Sequence, residues 1–366
     1  MEYKIVEHIG SGLHGDVYLV RNNKGIEFVA KIVKMIDKIY SCILETSILS
    51  KLKHPYIVKM KEIFPQNDSY IIIEERGNMD IRAWRSQMHS ALVTQKINHL
   101  KRSLYQILLS LKFLHSNDII HCDIKPGNIL VFCDIRCNIQ DIIDTAVFKL
   151  CDFSVSRFEY TGKIRKGKFV NPQYRAPEIW KQENYNSKID IWALGCTYYE
   201  ILTGEYLIDC KDLESKSDQM IDFFSKNNRI IIDKKFNIDP EYKNSMKEFI
   251  KFIELMLITD PNIRPSADEL LNNEFFTGYQ NIDYHSVYDL KNIYDEKLSS
   301  LTSDPFVLNL SKNILIKLII NNIIIYDDIY YAIIFIADMI VLRRSTVKID
   351  TRLVNLLIIF LEFNVL

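Results

Sequence analysis

The sequence has no excess of charge of either sign, since 46 Lys and Arg residues stand against 47 Asp and Glu residues. This balance gives no reason to expect binding to nucleic acid or to a membrane surface. The seven cysteines include no C-x-x-C pair and no regular framework. That usage predicts a reduced, intracellular protein, cytoplasmic or nuclear, and within a host cell if the chain is viral. No basic stretch followed by an apolar run opens the chain, so secretion is not expected.

Long uninterrupted apolar runs are also missing. A transmembrane helix needs about 20 consecutive apolar residues. Asp327, Asp328 and Asp338 interrupt the most apolar part of the chain, residues 305–366. We therefore expect no transmembrane span, and we interpret this part as helices that pack together or on the rest of the protein.

The pattern of the sequence changes along its length. Residues 3–75 contain short β-rich runs interrupted by one helical segment, whereas residues 80–278 have mostly helical patterns. This order predicts an α+β protein with two lobes. The predicted parts are a small β-rich N-lobe at 1–77, a larger helical C-lobe at 78–278, a linker at 279–304 and an all-helical extension at 305–366.

A glycine-rich stretch, IGSGLHGDV, joins two of the predicted strands. Glycines let backbone N–H groups approach a phosphate closely, although a plain hairpin turn explains the same residues. A strand follows the third glycine instead of a helix, which argues against a dinucleotide-binding fold and fits a hairpin lid over a nucleotide. The candidate nucleotide-binding residues here are Ile9, Gly10, Ser11, Gly12, Leu13, His14, Gly15, Asp16 and Val17.

Lys31 lies in the apolar strand FVAKIV, where a lysine is costly unless it meets anions. Glu45 falls on the apolar face of the helical segment that follows, and a carboxylate that points inward needs a cation. The pattern therefore predicts a Lys31–Glu45 pair that positions the lysine for phosphates. The alternative is a surface glutamate at the edge of the apolar face.

The loop HCDIKPGNIL collects three polar residues with complementary chemistry. Asp123 could accept a proton from an attacking hydroxyl, Lys125 could neutralise charge on a transferring phosphoryl group, and Asn128 could hold a metal ion through its amide oxygen. Asp152, which follows an apolar strand, could bind Mg²⁺. Each of these residues alone could be a turn, a cap or a surface charge, but their order and spacing together argue for a site.

With these motifs in place, residues 1–278 resemble the eukaryotic protein kinases. The resemblance runs through GSGLHGDV, VAKIV, ILETSIL, HCDIKPGN, DFS, APE and DPNIRP. It implies that ATP and Mg²⁺ are bound, with Lys31 on the α- and β-phosphates, Glu45 orienting Lys31, Asp123 as catalytic base, and Asn128 and Asp152 as metal ligands. Lys125 indicates the serine/threonine type, with proteins as substrates. Arg264 is expected to be the buried partner of Glu178.

Details of YRAPE, DIWALGC and IYSCILE look most like the cyclin-dependent kinase branch. The activation segment of the resemblance runs over residues 152–178. The tail at 305–366 weakly resembles a truncated cyclin box. The resemblance allows two hypotheses. One is a cyclin-like module that presses on the Glu45 helix in cis, and the other is a separate cyclin that acts in trans.

Several residues depart from the kinase pattern around the phosphate pocket of the activation segment. Cys122 replaces the arginine before the base, Leu44 stands where a second arginine would be, and Arg157 keeps the third. Lys166 occupies the position of the threonine that relatives phosphorylate. The loss of two arginines from the pocket agrees with the loss of the threonine that would carry the phosphate. Together these changes predict a kinase that phosphorylation at that position does not activate. The hydroxyl residues that could substitute are Ser156 and Thr161.

Three further departures lie near the active-site motifs. Ser154 replaces the glycine of the metal-binding triplet and predicts a more rigid switch. Val29 fills the place of an alanine over the adenine, and Asn171 replaces a threonine that usually bridges the base and Lys125. These changes keep a nucleotide-binding pseudokinase scaffold open as an alternative, and a small-molecule kinase of the same fold remains a second one.

Overall fold

The computed structural model describes residues 3–12, 15–34, 42, 45–46, 48–50, 52–87, 93–133, 146–158, 170–208, 217–232 and 243–279. The predicted features that lie outside these residues are Leu13, His14, Leu44, Thr161, Lys166, linker residues 280–304 and the tail 305–366.

Five antiparallel strands form a sheet at the N-terminal end. They are β1 (Tyr3–Gly12), β2 (Gly15–Asn22), β3 (Glu27–Lys34), β4 (Met60–Gln66) and β5 (Ser69–Glu75). Their order in the sheet is β1-β2-β3-β5-β4. The isoleucine run of β5 is buried on both faces of the sheet, which explains why its sequence is continuously apolar instead of alternating.

The helical segment predicted after β3 is helical at the described residues 42, 45–46 and 48–50. Cys42 and Leu49 are buried, as the predicted apolar face requires, and Leu52 just beyond them is buried as well. Glu45 is buried with them. The prediction that this carboxylate points inward is therefore confirmed.

Helices dominate the described residues after position 80. They are α1 (Ile81–Gln87), α2 (Val93–Ser116), α3 (Pro177–Trp180), α4 (Lys188–Thr203), α5 (Ser217–Lys226), α6 (Lys243–Met256) and α7 (Ala267–Leu271). Every residue of α4 from Ile189 to Ile201 is buried, as expected of a helix at the centre of a core. A Cβ on Gly195 would lie 2.8 Å from Leu257 Cδ2 and 3.1 Å from Met256 Cβ. Glycine at this position therefore allows the end of α6 to pack closely against α4.

Two small sheets bring the functional loops together. One contains β6 (Met79–Asp80), β8 (Ile129–Phe132) and β9 (Val147–Leu150), in the order β6-β8-β9. The other pairs β7 (Ile119–Ile120) with β10 (Arg157–Phe158). The loop at 121–128 runs from β7 to β8, and the loop at 151–156 runs from β9 to β10. Because β7 pairs with β10 and β8 pairs with β9, the two loops lie side by side.

The strand-rich beginning and the helical remainder confirm the predicted α+β class. Among the helices of the described residues, none combines the length and the apolar character that a membrane crossing requires.

Candidate active site

Lys31 connects the N-terminal sheet to two carboxylates. Its Nζ donates hydrogen bonds to Glu45 Oε1 at 2.9 Å and Oε2 at 2.7 Å, and to Asp152 Oδ1 at 2.9 Å. Burial alone would lower the pKa of Lys31, but the Glu45 and Asp152 carboxylates outweigh burial and raise it. The predicted Lys31–Glu45 pair is therefore formed, and the lysine carries its charge.

Asp123, Lys125 and Asn128 converge within one loop. Lys125 Nζ lies 2.5 Å from Asp123 Oδ2, and Asn128 Nδ2 donates to both Asp123 Oδ2 and the Asp123 carbonyl oxygen at 2.8 Å. The sequence produces this geometry through Pro126, which begins a single 3₁₀ turn over Pro126–Asn128. That turn carries Asn128 back to the aspartate five positions earlier.

The start of this loop is held by a buried carboxylate on α4. Asp190 Oδ2 accepts a hydrogen bond from the backbone N–H of His121 at 2.8 Å, and Oδ1 accepts one from that of Cys122 at 2.9 Å. Cys122 has a φ of 67°, in the left-handed region that residues other than glycine rarely adopt. The two backbone hydrogen bonds hold the loop in this conformation.

His121 joins this loop to the segment after β9 that contains Asp152. Its Nε2 donates to the carbonyl oxygen of Cys151 at 3.1 Å, and its Nδ1 accepts from the Asp123 backbone N–H at 3.3 Å. Burial lowers the pKa of His121, which agrees with a neutral ring that has one donor and one acceptor nitrogen. Sequence reasoning missed this role, because the histidine stands in an apolar context without a visible partner.

Asp152 lies beside the serine that replaces the usual glycine. Ser154 Oγ donates to Asp152 Oδ1 at 2.6 Å, and Ser154 is buried. Asp152 itself has a φ of 63°. The serine hydroxyl thus bonds the carboxylate that stands two positions before it, a contact that the sequence did not reveal, and the slower or more rigid switch stays a prediction.

The glycine-rich hairpin lies next to Lys31 in the sheet. Gly12 pairs with Gly15 at the end of the hairpin, and Val17 is the cross-strand partner of Lys31. Gly15 has a φ of 141°, and a Cβ there would lie 2.4 Å from the Ile32 carbonyl oxygen. Glycine at 15 is therefore required by the close approach of β3, whereas the space around a Cβ at Gly10 is open.

Three further residues singled out in the sequence make local contacts. Ser156 is fully buried and its Oγ donates to the His121 carbonyl oxygen at 3.2 Å, so this conformation leaves no room for a phosphate on it. Arg157 Nη1 donates to the carbonyl oxygens of Val155 and Ser156. The Asn171 side chain accepts from the backbone N–H of Gln173 and caps a 3₁₀ turn.

Glu178 and Arg264 form the predicted buried pair. Arg264 Nη1 and Nη2 donate to Glu178 Oε1 and Oε2 at 2.8 and 3.0 Å, and both side chains are completely buried. Arg264 Nε also donates to the Ile258 carbonyl oxygen at 2.8 Å. The pair joins the end of the activation segment to the core of the helical region.

Comparison with known proteins identifies the family to which this fold belongs. A family model described as a protein kinase domain matches residues 3–276. Mitogen-activated protein kinase 13 of Arabidopsis thaliana is 28% identical over 306 residues, which cover 76% of this chain and 80% of the relative. Mitogen-activated protein kinase hog1 of Neosartorya fischeri is 29% identical over 308 residues, with 76% and 77% covered.

Mitogen-activated protein kinase 17 of Arabidopsis thaliana is 28% identical over 323 residues, which cover 77% of this chain and 62% of the relative. The chain thus spans less than two thirds of that protein. None of these three relatives is a cyclin-dependent kinase, and the family match ends before the tail, so the comparisons give no support to the cyclin-dependent branch or to a cyclin-like tail. Since the family model covers residues 3–276 of a 366-residue chain, the protein belongs to the protein kinase domain family.

Proposed function

We propose that the chain transfers the γ-phosphate of Mg·ATP to serine or threonine hydroxyls of protein substrates. The observation that carries this proposal is the contact of Lys31 Nζ with both Glu45 and Asp152, the latter 121 positions away along the chain. This contact joins an ammonium group of the sheet to the loop at 151–156, which lies beside the loop that contains Asp123. Phosphoryl transfer depends on such positioning and on electrostatic stabilisation, without covalent chemistry by the protein.

In this proposal each polar group has a defined task. Lys31 binds the α- and β-phosphates and Glu45 orients it, while the glycine-rich hairpin covers the phosphates with backbone N–H groups. Asp123 accepts the proton of the attacking hydroxyl. Lys125, 2.5 Å from Asp123 Oδ2, stabilises charge on the transferring group.

The donor set fits a magnesium ion. The Asn128 amide nitrogen is used by Asp123, which leaves the amide oxygen as the atom this side chain presents. The Asn128 carbonyl oxygen accepts from the Cys151 N–H at 3.0 Å, so Asn128 lies next to the segment that carries Asp152. No group of three or more His, Cys, Asp or Glu side chains in the described residues is arranged to hold a metal. Two oxygen ligands are what Mg²⁺ needs when phosphates and water supply the others.

When bound, the metal would neutralise charge between the phosphates. Asn128 and Asp152 would hold it in this site, and the Ser154 hydroxyl would keep the Asp152 carboxylate in one orientation.

We also propose that phosphorylation of the usual activation-loop threonine does not control this kinase. Support comes from Cys122, a buried thiol at the position where the resemblance places a phosphate-binding arginine. The described cysteines are free thiols, which supports action in a reducing, intracellular compartment.

The test is transfer of ³²P from γ-labelled ATP to generic protein substrates by the full-length chain, followed by phosphoamino-acid analysis. We expect phosphoserine or phosphothreonine. Asp123→Asn should reduce the rate by about 10²–10⁴-fold and leave nucleotide binding intact.

Two alternatives make different predictions in the same assay. A pseudokinase scaffold would bind Mg·ATP without any transfer that depends on Asp123. A small-molecule kinase would label a small alcohol or amine and leave every protein unlabelled. Either result would contradict the proposed function.

A further inference from the structure

Glu74 lies on the face of the sheet that carries Lys31. Antiparallel cross-strand partners share a face, and every second residue of a strand returns to it. Lys31 pairs with Val17 on β2 and Ile72 on β5, and Val29 pairs with Glu74. Because Lys31 directs its ammonium group to Glu45 and Asp152, this face lines the proposed nucleotide site.

The Glu74 carboxyl group is buried but incompletely bonded. The residue is 7% exposed, and its Oε1 atom has no hydrogen-bond partner among the described residues. A buried polar atom left unpaired is unfavourable, so native proteins rarely keep one without a reason. A ligand that donates a hydrogen bond at this point supplies such a reason.

Lys31 is the described cation near Glu74. Its hydrogen bonds go to Glu45 and Asp152 and not to Glu74. Burial, and then the charge of Glu45, raise the pKa of Glu74 to about 8. A neutral carboxyl group does not repel a bound triphosphate, and its carbonyl oxygen still accepts a hydrogen bond. The titratable groups around Glu74 are Lys31, Glu45, Glu75, Cys151 and Asp152.

The position of Glu74 favours the base of the nucleotide over its phosphates. The proposed function puts the phosphates at Lys31 and the adenine under Val29. Residues on one face of a strand are about 7 Å apart at successive positions. Glu74 lies opposite Val29 and is therefore one such step from Lys31 towards the base.

We propose that Glu74 is a specificity-determining residue of the nucleotide site, and that its buried carboxyl oxygen accepts a hydrogen bond from the six-amino group of adenine. This inference rests on the proposed function and adds to it a selectivity for adenine over purines that lack the amino group. A purine without a donor at the six-position would leave Oε1 unpaired in the complex, so its affinity would be lower.

The test compares the Mg²⁺ complexes of ATP and of purine riboside 5′-triphosphate, which carries hydrogen instead of the amino group. Isothermal titration calorimetry on the full-length chain measures both dissociation constants. We expect the wild type to bind ATP about tenfold more tightly. The affinity ratio should fall at least threefold in Glu74→Leu and remain near the wild-type value in Glu74→Gln, whose amide oxygen also accepts.

Asp68→Asn is the matched control, because Asp68 is an exposed acid in the turn between β4 and β5. Its affinity ratio should equal that of the wild type. Equal affinities of the wild type for the two nucleotides would overturn the inference without any variant, and so would an unchanged ratio in Glu74→Leu.

Failure of the proposed function has a separate signature. A wild type that binds neither triphosphate overturns the function and the inference together. A wild type that binds ATP without transferring phosphate overturns the function alone, and the affinity ratio then still decides the role of Glu74.

Discussion

Lys31 Nζ lies 2.9 Å from Asp152 Oδ1, and this contact joins the N-terminal sheet to the loop after β9. The same nitrogen is held by both oxygens of Glu45. A cation at this point is therefore fixed in position by two elements that are far apart in the sequence.

Replacing Lys31 should abolish most of the activity. Lys31→Met removes the cation that bonds both Glu45 and Asp152, and we expect the rate of phosphate transfer to fall at least 100-fold. Lys31→Arg should also be impaired, because a planar guanidinium does not reproduce the three contacts of an ammonium. Lys34→Met, at an exposed position on the same strand, is the control and should retain activity. Steady-state kinetics measures the effect, and a loss smaller than threefold in Lys31→Met would contradict the assigned role.

Breaking the buried Glu178–Arg264 pair should strongly destabilise the protein. Arg264→Met leaves a carboxylate without its partner in a fully buried site, and we expect the free energy of unfolding to fall by about 3–5 kcal/mol. Urea denaturation measures this change. Lys226→Met breaks the exposed pair with Asp222 and should cost less than about 0.5 kcal/mol. Similar losses in the two variants would show that burial of the Arg264 pair has no special effect.

Gly15→Ala should destabilise the glycine-rich hairpin. The new Cβ would meet the Ile32 carbonyl oxygen, and the φ of 141° is unfavourable for alanine. We expect a loss of about 1–3 kcal/mol, seen as a lower melting temperature. Gly10→Ala has open space around its Cβ, so its stability should stay within about 0.5 kcal/mol of the wild type. A melting temperature for Gly15→Ala that matches that of Gly10→Ala would be inconsistent with the steric explanation.

The stability of the protein should depend on pH through Glu74. The pKa of this group is about 8 in the folded protein and about 4.3 in an unfolded chain. Between these values the folded state holds one more proton than the unfolded state, so the free energy of unfolding decreases as pH rises. The slope contributed by one proton is about 1.4 kcal/mol per pH unit.

Glu74→Gln does not titrate, so its stability should decline less than that of the wild type from pH 5 to pH 8. Urea midpoints at several pH values measure the difference between the two proteins. Parallel pH profiles would mean that the Glu74 pKa is not raised in the folded state.

Two buried ion pairs were predicted correctly from the sequence. Glu45 on an apolar helix face and Lys31 on an apolar strand each required a partner, and the structure pairs them. Arg264 and Glu178 followed from motif order in the same way. The first prediction used ionisable residues within an apolar pattern, and the second used the order of the motifs.

Contacts that depend on the approach of separate strands were not predictable. The sequence IIIEE shows a strand with acids at its end, and nothing in it indicates that Glu74 is buried opposite Val29. That relation depends on the register of β3 against β5, which is fixed by the packing of the whole sheet. The Ser154 hydroxyl bond to Asp152 and the orientation of the His121 ring depend on the conformations of their loops, which the sequence does not reveal either.

The hydrogen bonds from the loop at 121–128 to Asp190 affect which amino acids that loop can contain. Its carboxylate accepts hydrogen bonds from the main-chain N–H groups at positions 121 and 122 and also contacts His115 Nε2 at 2.9 Å. Any amino acid except proline supplies a main-chain N–H group. The Asp190 hydrogen bond at position 122 therefore does not depend on the side chain there, whereas the φ of 67° and the burial of Cys122 still limit which side chains fit. A loop held this way can carry cysteine where the kinase resemblance implies arginine and still keep both main-chain hydrogen bonds to Asp190.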